Sequence, residues 1–166
     1  MDVTAIPAPP FGESERAAWM AERLAAYGAE DVRIDACGNV VGHLRGTRAS
    51  ARPIVVSAHL DTVFPPDTDV RPRIEGDRIL APGISDDGRG LAALLTFTRL
   101  LAESDARTTA PIIVAATVGE EGLGDLRGVR ALFEGAARSA AAFVSLDGAG
   151  VTRVVTGGIG SLRRRY

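Results

Sequence analysis

Four acid-bearing groups stand apart from the rest of this sequence. They are His59-x-Asp61, the doublets Asp86-Asp87 and Glu120-Glu121, and Asp147. Three of them follow directly on apolar runs: "PIVVSAH" ends on His59, "PIIVAATV" leads to Glu120, and "AAFVSLD" ends on Asp147. An imidazole and several carboxylates are the donor set of a divalent metal site. Carboxylates gathered without a cation would raise one another's pKa values, so a shared location implies a positive charge among them.

The spacings carry more than the residue types. Residues i and i+2 of a strand face the same side, so Asp61 can accept a hydrogen bond from the second ring nitrogen of His59. That contact orients metal-bound histidines. Adjacent glutamates diverge, so one of Glu120 and Glu121 can bind metal while the other stays free as a base. "SDDGRG" lacks the alternating acids and twelfth-position glutamate of an EF-hand. Taken singly, each group has a plainer reading: a structural histidine, an Asp-Gly turn, a solvated acidic loop. Their order along one chain argues for one site.

The elements that must position these groups alternate between strand and helix. "GESERAAWMAERLAAYG" predicts a helix capped by Ser14 and stopped at Gly28, with Trp19, Met20, Leu24 and Tyr27 at helical spacing. "DVRID" and "VVGHLR" predict two strands around the turn "CGN". "RPRIEGDRIL" predicts a hairpin turning at Glu75-Gly76-Asp77. "GISDDGRG" opens the helix "LAALLTFTRLLAES", and "DLRGVRALFEG" is a second, shorter helix. "PIVVSAH", "PIIVAATV" and "AAFVSLD" read as central strands covered on both faces, and "VTRVVTG" as a fourth strand. The class is α/β, a three-layer domain with a largely parallel or mixed central sheet flanked by helices. Ligands of such sheets bind beyond the carboxyl ends of the strands, where the three apolar runs leave their acids.

Composition narrows the partners. With 166 residues, 46% hydrophobic and 24% charged, the chain can bury a core. A net charge of -2 gives no electrostatic case for nucleic acid or an anionic membrane. Every basic residue other than histidine is arginine; without lysine there is no Walker A loop and no Schiff base. Cys37 is the single cysteine, which excludes an internal disulfide and a cysteine zinc cluster. No signal-peptide pattern opens the chain and no apolar run reaches the roughly 20 residues of a membrane span, so a cytoplasmic location is expected. "TGGIGS" lacks the strand, helix and downstream acid of a dinucleotide fingerprint, and no GxSxG elbow is present.

The combined motifs resemble the dizinc metallopeptidase family of peptidase T (tripeptide aminopeptidase), carboxypeptidase G, aminoacylase and succinyl-diaminopimelate desuccinylase. The resemblance runs from "IPAPPFGE" and "GNVVGHLRG" through "SAHLDTV", "GISDDGRG" and "TVGEEGLGDLRG" to "SLDGAG", and is closest to the peptidase T-like branch. It implies that His59 and Asp147 bind one zinc, Asp86 bridges two, and Glu121 binds the second. Glu120 would be the general base and Asp61 would orient His59. It implies two Zn2+ per complete site, with Co2+ or Mn2+ as substitutes, and a cis peptide between Asp86 and Asp87. Substrates would be peptides or N-acyl amino acids. The expected activity is aminopeptidase- or tripeptidase-like hydrolysis, with a deacylase, a carboxypeptidase or a non-catalytic metal-binding module as alternatives.

Family members carry a further metal-binding histidine and a lid domain with a substrate-contacting histidine. Here the one other histidine, His43, falls in a predicted edge strand and reads as structural. Residues 1–155 are therefore expected to be the N-terminal part of the catalytic domain, and 156–166 the start of a lid through which a full-length form would dimerise. As such a fragment, the chain is expected to be inactive alone.

Overall fold

The computed structural model describes residues 1–148, 150, 152–158 and 160. Five strands form one mixed sheet in the order β1-β2-β6-β3-β7: β1 (Glu30–Ile34), β2 (Val40–Leu44), β3 (Ile54–His59), β6 (Ile112–Thr117) and β7 (Ala142–Ser145). β4 (Arg73–Glu75) and β5 (Arg78–Leu80) make the separate hairpin, turning at Gly76-Asp77. β3 runs parallel to both β6 and β7, while β1, β2 and β6 pair antiparallel.

Both faces of the central strands are covered, which is why their sequences are continuous apolar runs. On one face Val56, Ala58, Val114 and Ala116 pack with Met20 and Leu24 of α1 (Ser14–Ala26) and Leu91 and Leu94 of α2 (Arg89–Glu103). On the other, Val55, Ile113 and Ala115 pack with Leu132 of α3 (Arg127–Glu134) and with Ala137. Each fully buried leucine here contributes roughly 1.5–3 kcal/mol. Gly28 adopts φ +92 where α1 turns back into the sheet, and a Cβ there would meet the Cβ of Ala102 at 2.6 Å.

The register carries the acids to one place. His59 pairs with Thr117 and Ser57 with Ser145. Glu120 and Asp147 therefore emerge just past the ends of the strands that flank His59.

Four expectations change. Ser14 is the first helical residue rather than the cap; Glu13 precedes the helix, and its carboxylate binds Arg127 instead. β7 is an edge strand among the described residues, exposed along its whole length, because within them β3 alone pairs with it. β2, with His43, is interior because β1 covers its outer side. Residues 152–157 of "VTRVVTG" form no strand; Val151 lies outside the described residues, as do Ile159 and Ser161 of "TGGIGS".

Candidate metal centre

β3 delivers His59 to the sheet edge with its side chain 3% exposed. The ring Nε2 lies 2.8 Å from Asp86 Oδ1 and 3.9 Å from Asp147 Oδ1. Asp86 belongs to a tight loop, Ile84–Gly88, that departs from helical backbone at Asp86 and Asp87 and precedes α2. The Asp86-Asp87 peptide is cis. The carboxylates of Asp86 and Asp147 remain 55% and 41% exposed, so this edge is open to solvent and to ligands.

Asp61 is fully buried and does more than its spacing suggested. Its Oδ1 accepts the backbone N–H of Glu120 at 3.0 Å and its Oδ2 that of Glu121 at 2.8 Å. Its approach to His59 Nδ1 is 3.6 Å, an ion-pair distance too long for the expected hydrogen bond, and Nδ1 has no hydrogen-bond partner among the described residues. The two glutamate N–H groups hold the carboxylate away from the ring. Asp61 thus bridges the histidine strand and the glutamate loop.

Two side chains that hold the site together escaped the sequence reading. Asp87 is fully buried; its Oδ2 accepts the His59 N–H at 3.0 Å and its Oδ1 the Gly90 N–H at 3.1 Å, tying the end of β3 to the first turn of α2. An aspartate two residues before the first helical residue, Arg89, was the available signal. Arg16 was missed too. It is 1% exposed and donates to the carbonyl of Leu60, between His59 and Asp61, at 2.7 Å, and to that of Ile6. Its position four residues before Met20 on the apolar stripe of α1 marked it as buried.

The electrostatics follow from crowding. Burial opposes charge on the His59 ring, but Asp61, Asp87 and Asp147 outweigh it and push its pKa up to about 10. Burial pushes the Asp87 carboxyl up to about 7. Glu120 and Glu121 are raised by burial and by the neighbouring acids. Burial alone would raise Asp61 as well, yet His59 and the two backbone N–H groups hold it below the ordinary value.

One ligand atom each from His59, Asp87 and Asp147 lie within 4.8 Å of one another, and so do those of His59, Glu120 and Glu121. Donors bound at about 2.0–2.2 Å to one ion stand up to about 4.4 Å apart. The Nε2 separations of 2.8 and 3.9 Å fall within that span, and an imidazole among carboxylates suits zinc or a related divalent ion. His59 with Asp147, and His59 with Glu120 and Glu121, fit a metal; Asp86 meets His59 but joins neither group of three.

Residues 39–156, which contain His59 and every carboxylate of the site, match Peptidase family M28. The chain belongs to this metallopeptidase family. Over 52 residues the M28 chain is 50% identical to a peptidase T-like protein of Rhizobium meliloti, covering 31% of this chain and 13% of the relative. Over 85 residues it is 33% identical to carboxypeptidase G2 of a Pseudomonas species, covering 50% and 20%. These are the groups that the motifs resemble. Aminopeptidase PepT of Bacillus cereus matches with a TM-score of 0.74 and 27% identity over 90% of this chain and 42% of its own. Its fold is the α/β arrangement described above. The M28 chain thus spans less than half the length of this solved relative and a smaller part of the curated ones. Among the described residues, no helix is long and apolar enough to cross a membrane.

Proposed function

We propose that this chain carries the metal-binding and proton-transferring part of a peptidase active centre. His59, Asp147 and Asp86 would hold one zinc, and Asp86 and Glu121 a second, with Co2+ or Mn2+ as substitutes. The observation that carries the reading is His59 Nε2 facing both Asp86 and Asp147 at the end of β3, with Glu120 and Glu121 on the same edge.

Bound there, the metal would polarise the scissile carbonyl and acidify water. The chain's own residues do the rest. Glu120 takes a proton from the attacking water on its carboxylate and returns it to the departing amine; its raised pKa suits a group that must both accept and release a proton. Asp61 sets the Glu120 and Glu121 backbone relative to His59 through its two carboxylate oxygens. Asp87 does the same for the His59 backbone.

Short peptides are the proposed substrates, by likeness to the peptidase T-like protein and to aminopeptidase PepT. The likeness to carboxypeptidase G2 supports a second reading, release of a C-terminal or N-acylated amino acid by the same groups. The second position has two carboxylates among the described residues, so it would bind more weakly than the first. The 166-residue chain alone is expected to turn over tripeptides negligibly.

Zinc titration of the metal-stripped chain by calorimetry tests the reading. The native chain should bind one zinc tightly, and His59→Ala should weaken that binding at least 100-fold. Uptake unchanged in His59→Ala would refute it. Two tight ions per chain would refute the ranking of the two positions, and robust tripeptide turnover abolished by Glu120→Gln would refute the expected inactivity.

A further inference from the structure

The chain enters the Glu120–Glu121 loop at Val118 and leaves it at Gly128, and one buried side chain grips both points. Asn39 is fully buried. Its Oδ1 accepts the Val118 N–H at 3.1 Å, and its Nδ2 donates to the Gly128 carbonyl at 2.9 Å and to Asp35 Oδ2 at 2.8 Å. With one donor facing Oδ1 and two acceptors facing Nδ2, the amide has a single satisfying orientation. Val118 and Gly128 also bond to each other, Gly128 N–H to Val118 carbonyl at 3.0 Å, so the three residues close a ring.

The groups around this ring leave no slack. Asp35 Oδ1 accepts the N–H groups of Cys37, Gly38 and Asn39, each at 2.9 Å, which fixes the turn that presents Asn39. A Cβ on Gly128 would stand 2.3 Å from Asn39 Oδ1, so the helix α3 is pressed against the amide. Inside the loop, Gly124 abuts Gly119, and the Gly124 N–H bonds to the Glu121 carbonyl at 2.9 Å. The loop is a compact unit with two moorings: Asp61 at the glutamate N–H groups and Asn39 at the neck.

We propose that Asn39 is a positioning residue for Glu120 and Glu121, closing the neck of their loop and so setting where the two carboxylates stand relative to His59. The metal-related part rests on the function proposed above; the closing of the neck does not. Asn39 touches neither glutamate side chain and acts through the backbone of Val118 and Gly128.

Two measurements on the full 166-residue chain test it. Amide exchange read by NMR should show Val118, Glu120 and Glu121 losing protection about tenfold or more in Asn39→Ala, with Val55 and Val56 of β3 unchanged. Zinc titration should show Asn39→Ala weakening the Glu121-dependent part of binding about 10–100-fold, the usual effect of removing a partner behind a ligand. Tight uptake by His59 should persist. In a double-mutant cycle, Asn39→Ala should add little once Glu121→Gln is present, because both act on one carboxylate. A purely structural role would weaken both parts of zinc binding and add fully to Glu121→Gln, and that result overturns the proposal. So does unchanged protection of the loop amides. If Glu121→Gln leaves zinc uptake unaltered, the ligand role of Glu121 is what fails, and amide exchange alone decides the neck. Should Asn39→Ala fail to fold, Asn39→Ser, which leaves room for a bridging water, must show the same pattern at smaller amplitude.

Discussion

Replacing Asp61 by asparagine tests the hinge between the histidine strand and the glutamate loop. The carboxylate presents an oxygen to each of two backbone N–H groups, at 3.0 and 2.8 Å, from a site with no solvent exposure. An amide of the same shape has one oxygen, so one N–H would face an NH2 group. The lost bond to a charged acceptor is worth about 1.5–3 kcal/mol and the orphaned buried donor about 1–3 kcal/mol. Relief from burying a charge offsets part of this, leaving an expected loss of about 2–4 kcal/mol. Because the folded pKa of Asp61 is depressed, its stabilisation is fully present above the unfolded value of 3.8 and is lost as pH falls through the folded one. Urea unfolding of the chelated chain, followed by far-UV circular dichroism, should give this gap from pH 8 to 5, with an unchanged urea slope. The gap should close below pH 4. A gap under about 0.5 kcal/mol at pH 7, where the bonds to charge predict several-fold more, would show that Asp61 does not moor the loop. A gap that stays open at low pH would show that its charge is irrelevant.

Other outcomes follow from the same geometry. With the His59 pKa near 10, zinc uptake at pH 8 should release about one proton per ion from the ring; calorimetric heats that do not change with buffer ionisation enthalpy would refute this. The chelated chain should lose stability as pH rises. Asp87 holds a proton up to about 7 that the unfolded chain has released, and His59 stabilisation, full below 6.5, fades toward 10. A Tm rising from pH 5 to 9 without metal would contradict both. Gly28→Ala should cost about 1–3 kcal/mol, because φ +92 and the contact with Ala102 at 2.6 Å both oppose a side chain. An unshifted urea midpoint would count against it.

The gathering of His59, Glu120, Glu121 and Asp147 at one edge was legible because three apolar runs lead to them, and runs such as Ile54–His59 and Ile112–Thr117 declare burial on both faces; Asp86, in a loop, had no such run before it. Ala142–Ser145 has the same composition yet forms an exposed edge. A strand's place in a sheet depends on which distant partners pair with it, and nothing local to "AAFVSLD" records that β3 is its one neighbour among the described residues. His43 was placed at an edge for the same reason. The residues that hold the site together were the least legible. Asp87 and Arg16 carried a local hint of capping or burial, but that they and Asn39 reach backbone atoms of His59, Leu60, Val118 and Gly128 is set by the fold alone. Ser14 looked like the better helix cap, and only the fold shows Glu13 engaged by Arg127.

The strand pairings also order events in time. β1 and β2 are joined by a short turn, whereas Ile54 must find Ile112 on one side and Ala142 on the other. Closing such long loops is the slow part of folding a sheet. Asp147 reaches His59 only through the second of those pairings. A cation that needs both residues therefore meets no complete site in the early, locally structured chain. Its binding energy would fall on the finished sheet, where it would slow unfolding and leave the rate of folding nearly untouched.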